Sequence, residues 1–141
     1  MTVFVDTNVP MYVAGRAHRY KEPSRRFLED VARRSIQAAS DVEVLQEILY
    51  RYRFTGEIEK GFRVFESFAE TMPQFFPVLL EDAFKAKEIL RSTPGIPPRD
   101  AIHAAIVHRV GIRIVVSYDR HFDRIAGIQR VEPGAPILGG A

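Results

Sequence analysis

The chain reads as an α/β domain on a largely parallel sheet, and three observations predict it. Short β-branched or aromatic runs alternate with amphipathic helical segments. The two strongest runs, Thr2-Val3-Phe4-Val5 and Ile112 to Ser117, lie far apart in sequence. Each is soon followed by an aspartate, Asp6 and Asp119, so adjacent parallel pairing brings both carboxylates to one sheet edge, where open α/β sheets bind ligands.

The first strand stops at Asp6-Thr7-Asn8, a polar triplet with helix N-cap chemistry, and Pro10 suits the first turn of the short helix that follows. Glu22-Pro23-Ser24 opens a second helix, with Phe27, Leu28, Val31 and Ala32 at helical spacing. Ile36 to Ala39 reads as a brief strand. Ser40 and Asp41 then cap a helix to about Arg53, with Leu45, Ile48, Leu49 and Tyr52 on one face.

Gly56 breaks that helix, and another carries Ile58, Phe62, Phe65 and Phe68 to about Met72. Pro77 limits the run from Phe75 to Leu80 to a short or edge strand. Glu81 to Arg91 is helical. Thr93 to Pro98, with three prolines and a glycine, is a loop. A nearly all-apolar helix from Arg99 to Val110 ends at Gly111, and a weaker strand closes at Val131. No internal repeat or linker divides the chain: residues 1–135 form one domain, and 136–141 are a C-terminal tail.

Length agrees, since 141 residues suit one domain. Hydrophobic residues at 46% and charged ones at 27% exclude wholesale disorder. The absence of Cys removes disulfides, zinc–thiolate sites and thiol nucleophiles. Apolar stretches fall far short of the roughly 20 residues that span a bilayer, and no secretory signal follows Met1. A soluble, cytoplasmic domain is the expectation. Of the 20 basic residues 16 are Arg, which suits phosphate contact but equally reflects genomic bias, so charge alone decides nothing.

Two further acids stand in interpretable places. Asp100 occupies the first turn of an otherwise apolar helix, where the helix N-terminus favours a carboxylate. Counted from Leu45, Glu47 points away from the core stripe and on that segment alone reads as a solvated surface residue. Converging carboxylates oppose folding unless a cation offsets them, and a hard divalent ion such as Mg²⁺ or Mn²⁺ fits oxygen ligands. Such an ion in a cleft suits phosphodiester hydrolysis. Asn8, Thr7 and Ser117 are candidate supports, with turn and cap roles favoured for the last two. The four histidines show no close ligand pairing with a third partner, which disfavours zinc. His103, three residues after Asp100 on the same helix side, has a supporting place behind the acids open to it, with a packed or partly exposed residue the favoured reading.

Four blocks appear in a known order: Val3-Phe4-Val5-Asp6-Thr7-Asn8, Val44-Leu45-Gln46-Glu47-Ile48-Leu49, Pro98-Arg99-Asp100-Ala101-Ile102-His103-Ala104-Ala105 and Val115-Val116-Ser117-Tyr118-Asp119-Arg120-His121-Phe122. With them the chain resembles PIN-domain ribonucleases, specifically VapC-type toxins of toxin–antitoxin pairs, from Thr2 to about Pro133. The resemblance implies a three-layer α/β/α sandwich and a Mg²⁺- or Mn²⁺-dependent endoribonuclease. It puts Asp6, Glu47, Asp100 and Asp119 on the acidic quartet, catalytic and metal-binding, with Asn8 beside them; for Asp123 an assisting role and a cap or solvent-facing place stand equally open. It also implies an RNA substrate, a cognate antitoxin and a homodimer.

Two other readings remain open on sequence. Phosphatases of the haloacid dehalogenase type also open with a strand and an aspartate, but they need an acid two residues later, where this chain has Asn8. A non-catalytic PIN-like module that binds RNA or protein through an Arg-rich surface is the main alternative.

Overall fold

A computed structural model describes residues 1–137. Five strands, β1 (Val3–Val5), β2 (Ala38–Asp41), β3 (Phe75–Phe76), β4 (Ile114–Val116) and β5 (Gln129–Val131), form one sheet in the order β3-β2-β1-β4-β5. Every pairing is parallel. Six helices connect them: α1 (Asn8–Ala14), α2 (Lys21–Ala32), α3 (Val42–Phe54), α4 (Ile58–Thr71), α5 (Leu80–Ser92) and α6 (Pro98–Val110). A 3₁₀ turn, Arg120–Arg124, follows β4. The chain steps outward from β1 to β2 to β3 and then returns across the sheet to β4 through α5 and α6. Right-handed crossovers send that return pair to the opposite face from the helices of the outward steps, giving the expected three-layer sandwich.

The central strands are apolar on both sides because both are covered. Val3, Phe4 and Val5 are buried throughout, as are Ile114, Val115 and Val116. Helix α6 contributes Ala101, Ala104, Ala105, Ile106 and Val107 to the same core. Helices α3 and α4 approach so closely at Gly61 that a Cβ there would meet Tyr52 Cβ at 2.6 Å. Of the phenylalanines in this region, Phe68 is buried and Phe65, Phe75 and Phe76 pack partly against the core, while Phe62 stays exposed.

Strands β2 and β4 differ in their bounds from the sequence reading. Strand β2 runs from Ala38 to Asp41 and not from Ile36 to Ala39, because pairing rewards the polar end: Ser40 Oγ donates to the Val5 carbonyl at 2.8 Å. Strand β4 starts at Ile114 because the Ile112 N–H donates to the Val107 carbonyl at 2.9 Å, closing α6 behind the left-handed Gly111. The proposed tail falls only partly within the described residues. Ile137 packs against the core, and 138–141 lie outside the description. Among the described residues no helix is long and apolar enough to cross a membrane.

Candidate active site

The paired ends of β1 and β4 deliver Asp6 and Ser117 side by side. The Asp6 N–H donates to the Val116 carbonyl at 3.1 Å, and the chain then turns into α1. The buried Asp6 carboxylate accepts three hydrogen bonds: from the Thr7 N–H at 2.8 Å, Ser117 Oγ at 2.6 Å and Asn8 Nδ2 at 3.3 Å. Asn8 also donates to Ser117 Oγ at 3.0 Å. Thr7 holds the N-cap position of α1 without a side-chain cap bond. Its hydroxyl donates instead to Glu47 Oε1 at 2.8 Å.

Glu47 corrects the sequence reading. The buried stripe of α3 is Val44, Ile48 and Tyr52, which leaves Glu47 only about 100° from the stripe's centre and turned to the sheet edge. Its side chain is 12% exposed and so not a solvated surface group. Arg99 and Arg51 approach its outer oxygen at 3.7 and 3.8 Å. Asp100 is buried in the first turn of α6, as the apolar helix and its N-terminal dipole suggest. Asp119 follows β4, where its N–H donates to Ser117 Oγ at 2.9 Å and its carboxylate accepts from the His121 N–H at 2.9 Å. His121 Nδ1 lies 2.7 Å from Asp119 and 3.2 Å from Asp100.

The histidines do not stand apart from the acids. His103 is fully buried, with Nδ1 on Asp41 Oδ2 at 2.7 Å and Nε2 at 3.8 Å from both Asp6 Oδ1 and Glu47 Oε1. Two donor sets result, Asp6–Glu47–His103 and Asp100–Asp119–His121, each with its ligand atoms within 4.8 Å of one another. Ser117 Oγ joins them by bonding Asp6 on one side and Asp119 on the other. Asp123 is not part of this assembly. It pairs with Arg130 at 2.9 Å, about half exposed.

The electrostatics are those of a site with surplus negative charge. Burial raises the Asp6 carboxyl above the usual range, although His103 and Ser117 oppose the shift. Burial and the neighbouring charges of Asp6 and Asp119 push Asp100 up to about 8. Burial alone would lower His103, but Asp41, Glu47 and Asp6 outweigh it and raise the imidazole well above its ordinary value. Glu47 and Asp119 go the other way. Burial disfavours their charge, yet His103 and Thr7 hold Glu47 low, and the His121 N–H and Asp100 hold Asp119 low.

The PIN domain profile matches residues 3–128. The chain belongs to the PIN-domain family. Ribonuclease VapC13 of Mycobacterium tuberculosis is 32% identical over 129 residues, covering 92% of this chain and 98% of that protein. Ribonuclease VapC23 of the same species is 30% identical over 117 residues, covering 83% and 92%. Among solved structures, the fold resembles VapC20 of Mycobacterium tuberculosis, described as a Sarcin-Ricin loop cleaving toxin (TM-score 0.75, 18% identity, 93% and 99% covered). It also resembles VapBC2 of Rickettsia felis bound to a promoter DNA fragment (TM-score 0.73, 18% identity, 94% and 98% covered).

In this PIN domain the sequence allows His103 a place behind the acids but favours packing for it, and it gives Asp41 and His121 no part in the site. Spacing carries a signal for both histidines. His103 lies one helical turn beyond Asp100, and His121 two residues beyond Asp119. Asp41 was legible only as a cap. It does accept from the Val44 N–H at 2.9 Å, while its second oxygen holds His103.

Proposed function

We propose that this PIN domain is an endoribonuclease that hydrolyses RNA phosphodiester bonds with a divalent cation, Mg²⁺ or Mn²⁺, and acts as the toxin of a toxin–antitoxin pair. Asp6, Glu47, Asp100 and Asp119 are its catalytic and metal-binding residues. The observation that carries this reading is that Asp6 and Glu47 face one another in one donor set and Asp100 and Asp119 in a second, with the Asp6 charge felt at Asp100 and Ser117 Oγ bonded to Asp6 and to the Asp119 N–H. The named ribonucleases among its relatives support the substrate class. The VapBC structures support a cognate antitoxin as partner. A homodimer and action in the cytoplasm, where RNA substrates are met, complete the proposal.

The donor set fits a hard divalent ion. Carboxylates dominate it, and two of them, Asp6 and Asp100, are held above their ordinary pKa by burial, a penalty that a nearby cation relieves. When bound, such an ion acidifies a water and screens the charge that develops on the phosphoryl oxygens. The chain's own residues supply order. Ser117, Asn8 and the Thr7 N–H fix Asp6 from three sides, and the Thr7 hydroxyl fixes Glu47 against it. Asp100 and Asp119 would supply further carboxylate oxygens to the ion, and His121, half-exposed, lies against both of them and holds them in place. A cavity of about 480 Å³ is lined by Met11, Tyr12, Arg16 and His18 together with Asn8, which bonds Asp6, and Arg51, which faces Glu47. Arg16 and Arg120, exposed and without an ion pair among the described residues, are free to meet phosphates.

The test compares the wild type with Asp6→Asn on RNA in Mg²⁺, Mn²⁺ or EDTA. Cleavage by the wild type in metal, abolished by EDTA and reduced at least about a thousandfold by the substitution, is expected. Equal RNA loss from both proteins would point to contamination, and binding without turnover would leave a non-catalytic module.

A further inference from the structure

His103 has features that packing does not explain. Its ring is wholly enclosed against Phe4, yet Nε2 has no hydrogen-bond partner. A buried polar atom left unsatisfied loses its hydration without recompense, so such an atom calls for a partner. The nearest acceptors, Asp6 Oδ1 and Glu47 Oε1, both lie at 3.8 Å, too far for hydrogen bonds. Three donor atoms from β1, α3 and α6 thus face one another around a point that none of them fills. The other ring nitrogen is held by Asp41 at 2.7 Å, the carboxylate–imidazole pairing that orients histidines toward metals. Asp41 is itself anchored as the cap of α3, so the ring has little freedom to turn.

We infer that His103 is a nitrogen ligand of the cation held by Asp6 and Glu47, and that this ligand selects Mn²⁺ over Mg²⁺. The inference rests on the proposed metal site and names its third donor. Mg²⁺ strongly prefers oxygen, whereas a first-row transition ion accepts imidazole beside carboxylates. The ion takes the place of any proton on Nε2, which leaves to solvent as the metal binds. The second set, Asp100–Asp119–His121, differs in kind: its imidazole already contacts both carboxylates and stands half-exposed at the mouth.

The test is electron spin-echo spectroscopy of Mn²⁺ bound to the full chain, with natural-abundance and ¹⁵N-labelled histidine, beside calorimetric titration of Mn²⁺ and Mg²⁺. A directly coordinated nitrogen that shifts on labelling is expected in the wild type and in His121→Gln. His103→Gln should lose it, with Mn²⁺ affinity reduced about tenfold or more and Mg²⁺ affinity changed less than about threefold. The wild-type spectrum needs no substitution, so a poorly folding variant does not blunt the test. Bound Mn²⁺ with no coordinated nitrogen, or a coupling that survives in His103→Gln, overturns the inference and leaves the carboxylate site standing. Mn²⁺ that stays entirely free in solution overturns the inference and the metal-dependent reading together.

Discussion

Two buried aspartates of this molecule have opposite fates. Asp82, 1% exposed at the start of α5, accepts the Leu79 N–H at 2.8 Å and two guanidinium bonds from Arg109, at 2.9 and 3.1 Å. Arg109 comes from α6, so the pair ties the return crossover together, and a further bond to the Pro77 carbonyl fixes the end of β3. Asp100, 7% exposed on the same helix as Arg109, has no guanidinium on it; its neighbours are other acids and an imidazole. Similar burial therefore produces a satisfied structural anchor in one place and frustrated charge in the other. Frustration of that kind is retained where something outside the chain completes the balance.

Substituting the two residues separates these roles. Asp82→Ala strands the Arg109 charge and removes a cap, and about 2 kcal/mol of stability should be lost in urea unfolding. That sits below the roughly 3–5 kcal/mol of a fully buried pair because Arg109 retains some contact with water. Asp100→Asn should leave the metal-free protein as stable or more so while abolishing cleavage. Equal destabilisation by both substitutions would reduce Asp100 to a helix cap.

A smaller effect is expected from pH. The folded value of Asp100, about 8, lies above its ordinary 3.8, so its contribution to stability is complete below about pH 4 and is lost as pH rises toward 8. Asp6, also raised, and His103, raised well above 6.5, act with the same sign. Tm of the metal-free protein should therefore fall between about pH 5 and pH 8.5, and millimolar Mn²⁺ should flatten or reverse the fall, since binding favours the ionised carboxylates. A Tm that rises over that range without metal would mean that the acids are balanced within the chain. The smallest effect belongs to Asp123→Asn. Its half-exposed ion pair with Arg130 contributes at most about 1 kcal/mol, and cleavage rates should stay within about twofold of the wild type. A larger loss of rate would return Asp123 to the site.

The parallel pairing of β1 with β4 was legible because both strands are continuous apolar runs, which only a sheet covered on both faces explains. Asp100 was legible for a similar reason, as a lone acid opening an apolar helix. Glu47 was harder. Its orientation depends on which neighbouring apolar residue, Val44 or Leu45, takes the core position, and both satisfy the same periodicity. Packing of α3 on α4, close at Tyr52 and Gly61, goes with Val44 inward.

By itself the chain of residues determined the order of elements, the parallel sheet and the edge at which Asp6 and Asp119 emerge, because apolar periodicity and turn chemistry act over a few neighbours. Only the tertiary structure decided what those acids touch. His103 meets Asp6 and Glu47, across separations of 97 and 56 residues, because α6 lies over the ends of β1 and β2. Side-chain direction at such range is set by how whole helices settle on the sheet, and no local pattern carries that information.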